Sequence, residues 1–222
     1  MPEPLHKITV LRPKGSNRPD HELVRLVSRP GKYGRERLII FPGVKKKQIS
    51  GLFREKWKID PVKPHTSGRA VFFAKTKGSD GKKFEIAVKH LRRYASYTHE
   101  ARMLLHLRSN GIPAEQPLGL LIQPGERMLI TRRIRGQYSN HFPAWARGLT
   151  HDAYIVEFER RTGKSTLEKL AELGIKSSDW KGFETVPSYL HGAIKQFVVD
   201  AEHLHSEKEN KLAKTKQAKV IV

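Results

Sequence analysis

Apolar positions in this chain change their spacing several times, and each change marks an element. Near the N-terminus the apolar runs are short and β-branched: Ile8 to Leu11, Leu23 to Val27 and Leu38 to Phe41, separated by breakers such as Arg29-Pro30-Gly31. Runs of that kind between Pro/Gly punctuation predict a few short strands or hairpins. From Gly68 the pattern sharpens. Ala70 to Lys75 and Lys83 to His90 flank Gly78-Ser79-Asp80-Gly81, where Asp-Gly supplies the positive φ of a hairpin turn. Ser96 to Ser109 changes to helical spacing through Ala101, Leu104, Leu105 and Leu107, with Gly111 placed as a C′ residue and Pro113 forbidding continuation. Two more strand runs, Leu118 to Ile122 and Arg127 to Ile134, flank Gln123-Pro124-Gly125-Glu126, and Gly136 closes a β-β-α-β-β order.

After Gly136 the spacing predicts helices: one near His151 to Arg161, one opened by the capping box Ser165-x-x-Glu168 and closed by Gly174, and one from Pro187 to about His205. Ser206 to Val222 is a Lys-rich tail, and no internal repeat is present. The chain therefore divides into an extension over 1–66, a compact β-β-α-β-β unit over 67–136, a helical part over 137–205 and a tail over 206–222.

Two residues in the central unit carry candidate chemistry. In Phe84-Glu85-Ile86-Ala87-Val88-Lys89, a period of two places Phe84, Ile86 and Val88 on one face and Ala87 with Lys89 on the other. On the following helix Glu100, Met103, Leu104 and Leu107 fall at i, i+3, i+4 and i+7, so Glu100 lies on the apolar stripe. A buried carboxylate without a cation costs several kcal/mol, and Lys89 is the nearest strand amine in chain order, so the economical reading pairs Lys89 with Glu100.

These residues carry a family resemblance. Ile86-Ala87-Val88-Lys89 resembles the strand-three Val-Ala-Ile-Lys motif of the protein kinase-like superfamily, and Glu100 resembles its partner glutamate on the next helix. Leu104-Leu105-x-Leu107-x-x-x-Gly111-Ile112-Pro113, followed by Met128 to Gly136, is similar to the helix-to-strand link and hinge strand of small kinases of the RIO and lipopolysaccharide-kinase branches. The resemblance implies an α+β fold, with an N-lobe of antiparallel sheet and one packed helix, then an abbreviated helical C-lobe. It implies ATP as ligand, with Mg2+ accompanying it. It assigns Thr131 as gatekeeper, the backbone of Arg132, Arg133 and Ile134 to adenine, Ala87 to packing on the ring, and Lys89, held by Glu100, to the phosphates. Val71, in the segment preceding the hairpin, completes the nucleotide-binding set.

The sequence departs from the pattern in two places. Where a glycine-rich loop belongs stands His65-Thr66-Ser67-Gly68-Arg69-Ala70-Val71, with one glycine. Val198-Val199-Asp200-Ala201-x-x-Leu204-His205 looks like the helix before a catalytic loop, but His-x-Asp and Asp-Phe-Gly do not follow. His151-Asp152 stands too early in the order to replace them. No catalytic residue is assigned, and the expectation is a pseudokinase or an incomplete kinase that binds nucleotide.

Composition widens the choice. Forty-three Lys and Arg against 22 Asp and Glu give +21, which favours anionic partners. Residues 1–66 hold 16 of the cations with six acids, interleaved with Tyr33, Phe41, Phe53 and Trp57. That mixture is either a solvated basic face or a surface for phosphate contacts plus base stacking, so a non-enzymatic RNA- or ribosome-binding protein is the alternative function. The absence of Cys excludes disulfides, thiolate metal sites and Cys nucleophiles. With no apolar signal or spanning segment, the expectation is a soluble, cytoplasmic protein. Gly163-Lys164-Ser165-Thr166 imitates a P-loop ending, but Phe158 stands where the first glycine belongs, so it reads as a helix cap. The 11 His residues include no i, i+4 pair beside a third ligand, so no metal site is expected.

Overall fold

The structure is a computed structural model that describes residues 8–11, 17, 24–31, 34–60, 71–90, 94–134, 157, 166–177, 185–190, 193–198, 201 and 204–206. It divides into two compact units: Met1–Thr98 with Gln116–Arg133, and His99–Glu115 with Ile134–Val222.

The first unit is built on one sheet of eight strands. In chain order these are β1 (Ile8–Leu11), β2 (Val24–Gly31), β3 (Gly34–Ile40), β4 (Lys58–Ile59), β5 (Val71–Lys77), β6 (Lys83–His90), β7 (Pro117–Gln123) and β8 (Glu126–Arg132). Their spatial order is β1-β2-β3-β7-β8-β6-β5-β4, with every neighbour antiparallel. Period-two alternation decides which face is apolar. Val27, Leu38, Ile40, Leu121, Met128, Ile130, Val88, Ile86 and Ala74 fall on one side and pack with Val44, Ile49, Leu52 and Phe53. Those last residues surround a 3-10 segment, Lys46–Leu52, which crosses that face. The segment is anchored to the β5–β6 hairpin: the Thr76 hydroxyl donates to the Gly51 carbonyl at 2.8 Å, and the Ser79 N–H to the Lys47 carbonyl at 2.7 Å. Gly51 has to be glycine here, because a Cβ would stand 2.6 Å from the Lys77 carbonyl oxygen. The hairpin closes as the Asp-Gly pair requires, with Gly81 at φ +73°.

A buried polar staple fixes the register of the N-terminal strands. Arg29 and Glu36 are direct partners on β2 and β3, and Arg29 Nε donates to Glu36 Oε2 at 2.9 Å. Gln123 of β7 donates to the other Glu36 oxygen, and Glu55 pairs with Arg29 from the loop side. The guanidinium lies 3.6 Å above the Phe53 ring, so the cation is stacked as well as neutralised.

The second unit holds most of α1 (Tyr94–Ser109), α2 (Thr166–Glu172) and four short strands. α1 ends as its sequence directs. Gly111 takes φ +74°, its N–H bonds the Arg108 carbonyl, and the Ile112 N–H reaches back to Leu107, the paired arrangement that satisfies the last helical carbonyls. Met103, Leu104, Leu107, Ile112 and Ala114 pack with Leu170, Ile175, Val198, Ala201 and Leu204. β9 (Ile175–Ser177) pairs with β12 (Leu204–Ser206), and β10 (Thr185–Leu190) with β11 (Ala193–Val198).

This architecture overturns the expected α+β arrangement of a kinase-like N-lobe, a helical C-lobe and a separate basic extension. Among the described residues the eight-stranded antiparallel sheet dominates and helices are few. Strands from residues 1–66 are members of that sheet: Leu38 is opposite Leu121 of β7, and Leu38 and Ile40 share one apolar cluster with Leu118 and Leu121. β2 runs through Arg29-Pro30-Gly31, which reads in sequence as a break, since Pro30 and Gly31 lie at its hairpin end opposite Arg35 and Gly34. The expected helix from Pro187 to His205 is replaced by β10, β11 and β12. Val186, Tyr189, Ile194, Phe197 and Val198 favour strands, and Gly192 would cost a helix interior about 1 kcal/mol. The expected capped helix is present as α2, with Gly174 at φ +65° beyond its end. The helix expected near His151 to Arg161 lies outside the described residues except at Glu157.

Candidate functional site

The face of the sheet opposite the apolar core is where the nucleotide residues fall. Val71 is the register partner of Lys89, and Phe73 of Ala87, on β5 and β6. Ala87 is in turn the partner of Thr131, and Lys89 of Leu129, on β8. Cross-strand partners share a face with Cβ atoms about 5 Å apart, so Val71, Ala87, Lys89 and Thr131 form one contiguous patch although 60 positions separate the first from the last. The alternation that sends Phe84, Ile86 and Val88 into the core fixes their direction. Its surroundings differ from those of an exposed strand: Ala87 is 1% exposed, Lys89 5% and Thr131 0%. Ala87 and Lys89 are thus buried at this end of β6, which places an ammonium in a setting where attraction for a phosphate is stronger than in water.

Thr131 carries the anomaly of the patch. Its Oγ1 is buried and has no hydrogen-bond partner among the described residues. A hydroxyl left in that condition costs about 1–3 kcal/mol, so an acceptor or donor from a ligand fits this position. Arg132 and Arg133 stand differently from their assignment to adenine. Their backbone N–H groups already bond the Gln116 and Glu85 carbonyls, at 2.8 and 3.2 Å. The Arg133 side chain crosses Phe73 at 4.1 Å and pairs with Asp60 at 3.1 Å. Glu100 and Ile134 belong to the second unit, where Glu100 is completely buried on α1. The segment 61–70, where the phosphate loop is expected, and His151-Asp152 lie outside the described residues.

Among the described residues no three His, Asp or Glu side chains come together as metal ligands. No helix among them is long and apolar enough to cross a membrane.

Several of the features read as nucleic-acid contacts in residues 1–66 are used by the fold, while Tyr33 lies outside the described residues. Phe41 and Phe53 are buried, and Trp57 packs on the core with its Nε1 donating to the Gly51 carbonyl at 3.1 Å. Arg25 and Arg29 are buried, Arg54 pairs with Glu126, and Lys47 pairs with Asp80 at 2.9 Å. Beside Lys58, which belongs to the basic 1–66 segment, the fold brings three exposed lysines from outside that segment. On the same face as Lys89, toward the β5–β6 turn, Lys58 is the direct partner of Lys75, and Lys77 of Lys83. All four are exposed. The signal was available: Lys75 and Lys77 alternate with Ala74 and Thr76 along a strand, with Lys83 just past the turn.

The sheet thus defines an antiparallel-sheet protein whose face carries one buried lysine, Lys89, and a cluster of exposed ones. No family model and no curated protein matches the sequence.

Proposed function

We propose that the protein binds ATP on the sheet face shared by Val71, Ala87, Lys89 and Thr131. The single observation that carries this reading is the register: three strands bring an amine, a small flat surface and an unsatisfied hydroxyl into adjoining positions. Lys89 takes the phosphates, Ala87 packs on the purine, Val71 covers it from β5, and Thr131 supplies a polar contact. Mg2+ accompanies the nucleotide through its phosphates. Kinship with the protein kinase-like superfamily is proposed for this nucleotide face alone, and the proposal stops at binding, without a phosphoryl acceptor. The lack of Cys is consistent with work in the reducing cytoplasm.

A thermal-shift titration with MgATP tests the reading. At a hundred times Kd, a ligand that binds only the folded state adds about 2.7 kcal/mol of stability. The wild type should show that rise and Lys89→Ala should lose it. Equal shifts in both proteins, or none in either, remove the proposal.

A further inference from the structure

From the register of β4, β5 and β6 we infer a second ligand site on the same face, a docking surface for single-stranded nucleic acid built on Lys58, Lys75, Lys77 and Lys83. It stands independently of ATP binding. Like charges directly opposite one another destabilise a sheet, yet here two lysine pairs face each other across three adjoining strands. Four other basic side chains of the first unit face acids instead: Arg29 meets Glu36 and Glu55, Arg54 meets Glu126, Lys47 meets Asp80 and Arg133 meets Asp60. Two acids lie beside the lysines, Glu85 as the register partner of Lys75 and Asp60 two positions past Lys58, where it pairs with Arg133. Strands about 4.8 Å apart and residues rising about 3.3 Å each put the four stems within roughly 10 by 7 Å. An area of that size spans about three to four phosphates of one strand.

Beside the lysines the same face carries a stacked pair, Phe73 with the Arg133 guanidinium 4.1 Å above it. Planar guanidinium and aromatic surfaces are what unpaired bases stack on, and a cationic track beside such a surface is the recurring form of single-strand recognition. The exposed apolar residue nearby, Ile59, pairs with the core-facing Ala74 and so projects from the opposite face. Among the described residues the β5 apolar side chains on the lysine face are the half-buried Val71 and Phe73, the latter covered by Arg133. The face thus offers charge and a stacking plane rather than an exposed apolar anchor for a lipid surface, and its partner is a nucleic acid read through its backbone.

Fluorescence anisotropy with a labelled 20-nucleotide oligo-uridine, titrated against the full chain at several salt concentrations, tests this. Neutralising three to four phosphates of a single strand gives a log–log salt slope of about −2 to −3, a loss of roughly 20- to 50-fold in affinity between 50 and 200 mM. In the variant Lys58→Gln/Lys75→Gln/Lys77→Gln/Lys83→Gln the slope should collapse toward zero and binding at 50 mM should fall at least tenfold. Lys77→Gln/Lys83→Gln alone should give half the change in slope, which keeps the test informative if the fourfold variant does not fold. A control removing the same charge from the tail, Lys211→Gln/Lys214→Gln/Lys216→Gln/Lys219→Gln, should bind as the wild type does. Three results overturn the inference: the tail control losing as much as the face variant, a duplex of the same length binding more tightly than the single strand, or phosphatidylserine vesicles binding the protein through the same four lysines. Lys89→Ala should leave oligonucleotide binding unchanged, and the face variant should keep its response to MgATP.

Discussion

Replacing Thr131 with valine separates what the fold requires at that position from what a ligand requires. Valine has the same shape and suits a strand at least as well. The change removes a hydroxyl that is 0% exposed and has no hydrogen-bond partner among the described residues. Burying such a group without a partner costs about 1–3 kcal/mol. Without ligand, Thr131→Val should therefore be more stable than the wild type by about 1 kcal/mol, which raises Tm by about 2–4 °C in a protein of this size. With MgATP the order reverses. The hydroxyl's contact with the nucleotide contributes about 1 kcal/mol, so Kd should rise about fivefold and the ligand-induced shift should shrink. Calorimetry for the free protein and isothermal titration with MgATP read the two effects separately. A fall in the Tm of the free variant would mean that the hydroxyl is satisfied in the fold. An unchanged Kd would mean that Thr131 does not meet the nucleotide. Either outcome refutes the corresponding half of the reasoning.

Other consequences follow from single contacts. Gly51→Ala forces a Cβ to within 2.6 Å of the Lys77 carbonyl oxygen, so the 3-10 segment and the β5–β6 hairpin must separate, and urea unfolding should show a loss of about 1–3 kcal/mol. Glu36→Leu leaves the buried Arg29 short of its main partner and should cost about 3–5 kcal/mol, whereas Arg29→Met with Glu36→Leu should recover most of it in the same assay. The Asp80 carboxyl titrates below its ordinary 3.8, first because the Lys47 ammonium hydrogen-bonds to it. A lowered folded-state pKa stabilises the fold above the unfolded value and loses that stabilisation as pH falls through the folded value. Asp80→Asn should therefore narrow the stability difference from the wild type as pH drops below about 4, and a pH series of thermal melts that stays parallel would refute this.

Local spacing determined most of the elements. Strands at Ile8–Leu11, Val71–Lys77, Lys83–His90, Pro117–Gln123 and Glu126–Arg132, the helix Tyr94–Ser109 and the glycines with positive φ at 81, 111 and 125 all follow from periodicity and turn chemistry within a few residues. The direction of Lys89 away from Phe84, Ile86 and Val88 follows in the same way, since alternation is a property of the strand itself. Three things did not follow, because each depends on partners distant in sequence. Whether β1 to β3 form an appendage or join the main sheet is decided by the edge that β7 offers to Ile39 and Leu38, more than 80 residues away. Whether Pro187 to His205 is helix or strand is decided by pairing, because its β-branched residues suit a strand as soon as another strand lies beside them. Which cations face an acid is decided by what the fold brings to them: Arg29 and Arg54 meet acids distant in sequence, while Lys58 is set against Lys75 and Lys77 against Lys83. A chain carries its periodicities in each short segment, but a charge acquires its role only from neighbours that folding supplies.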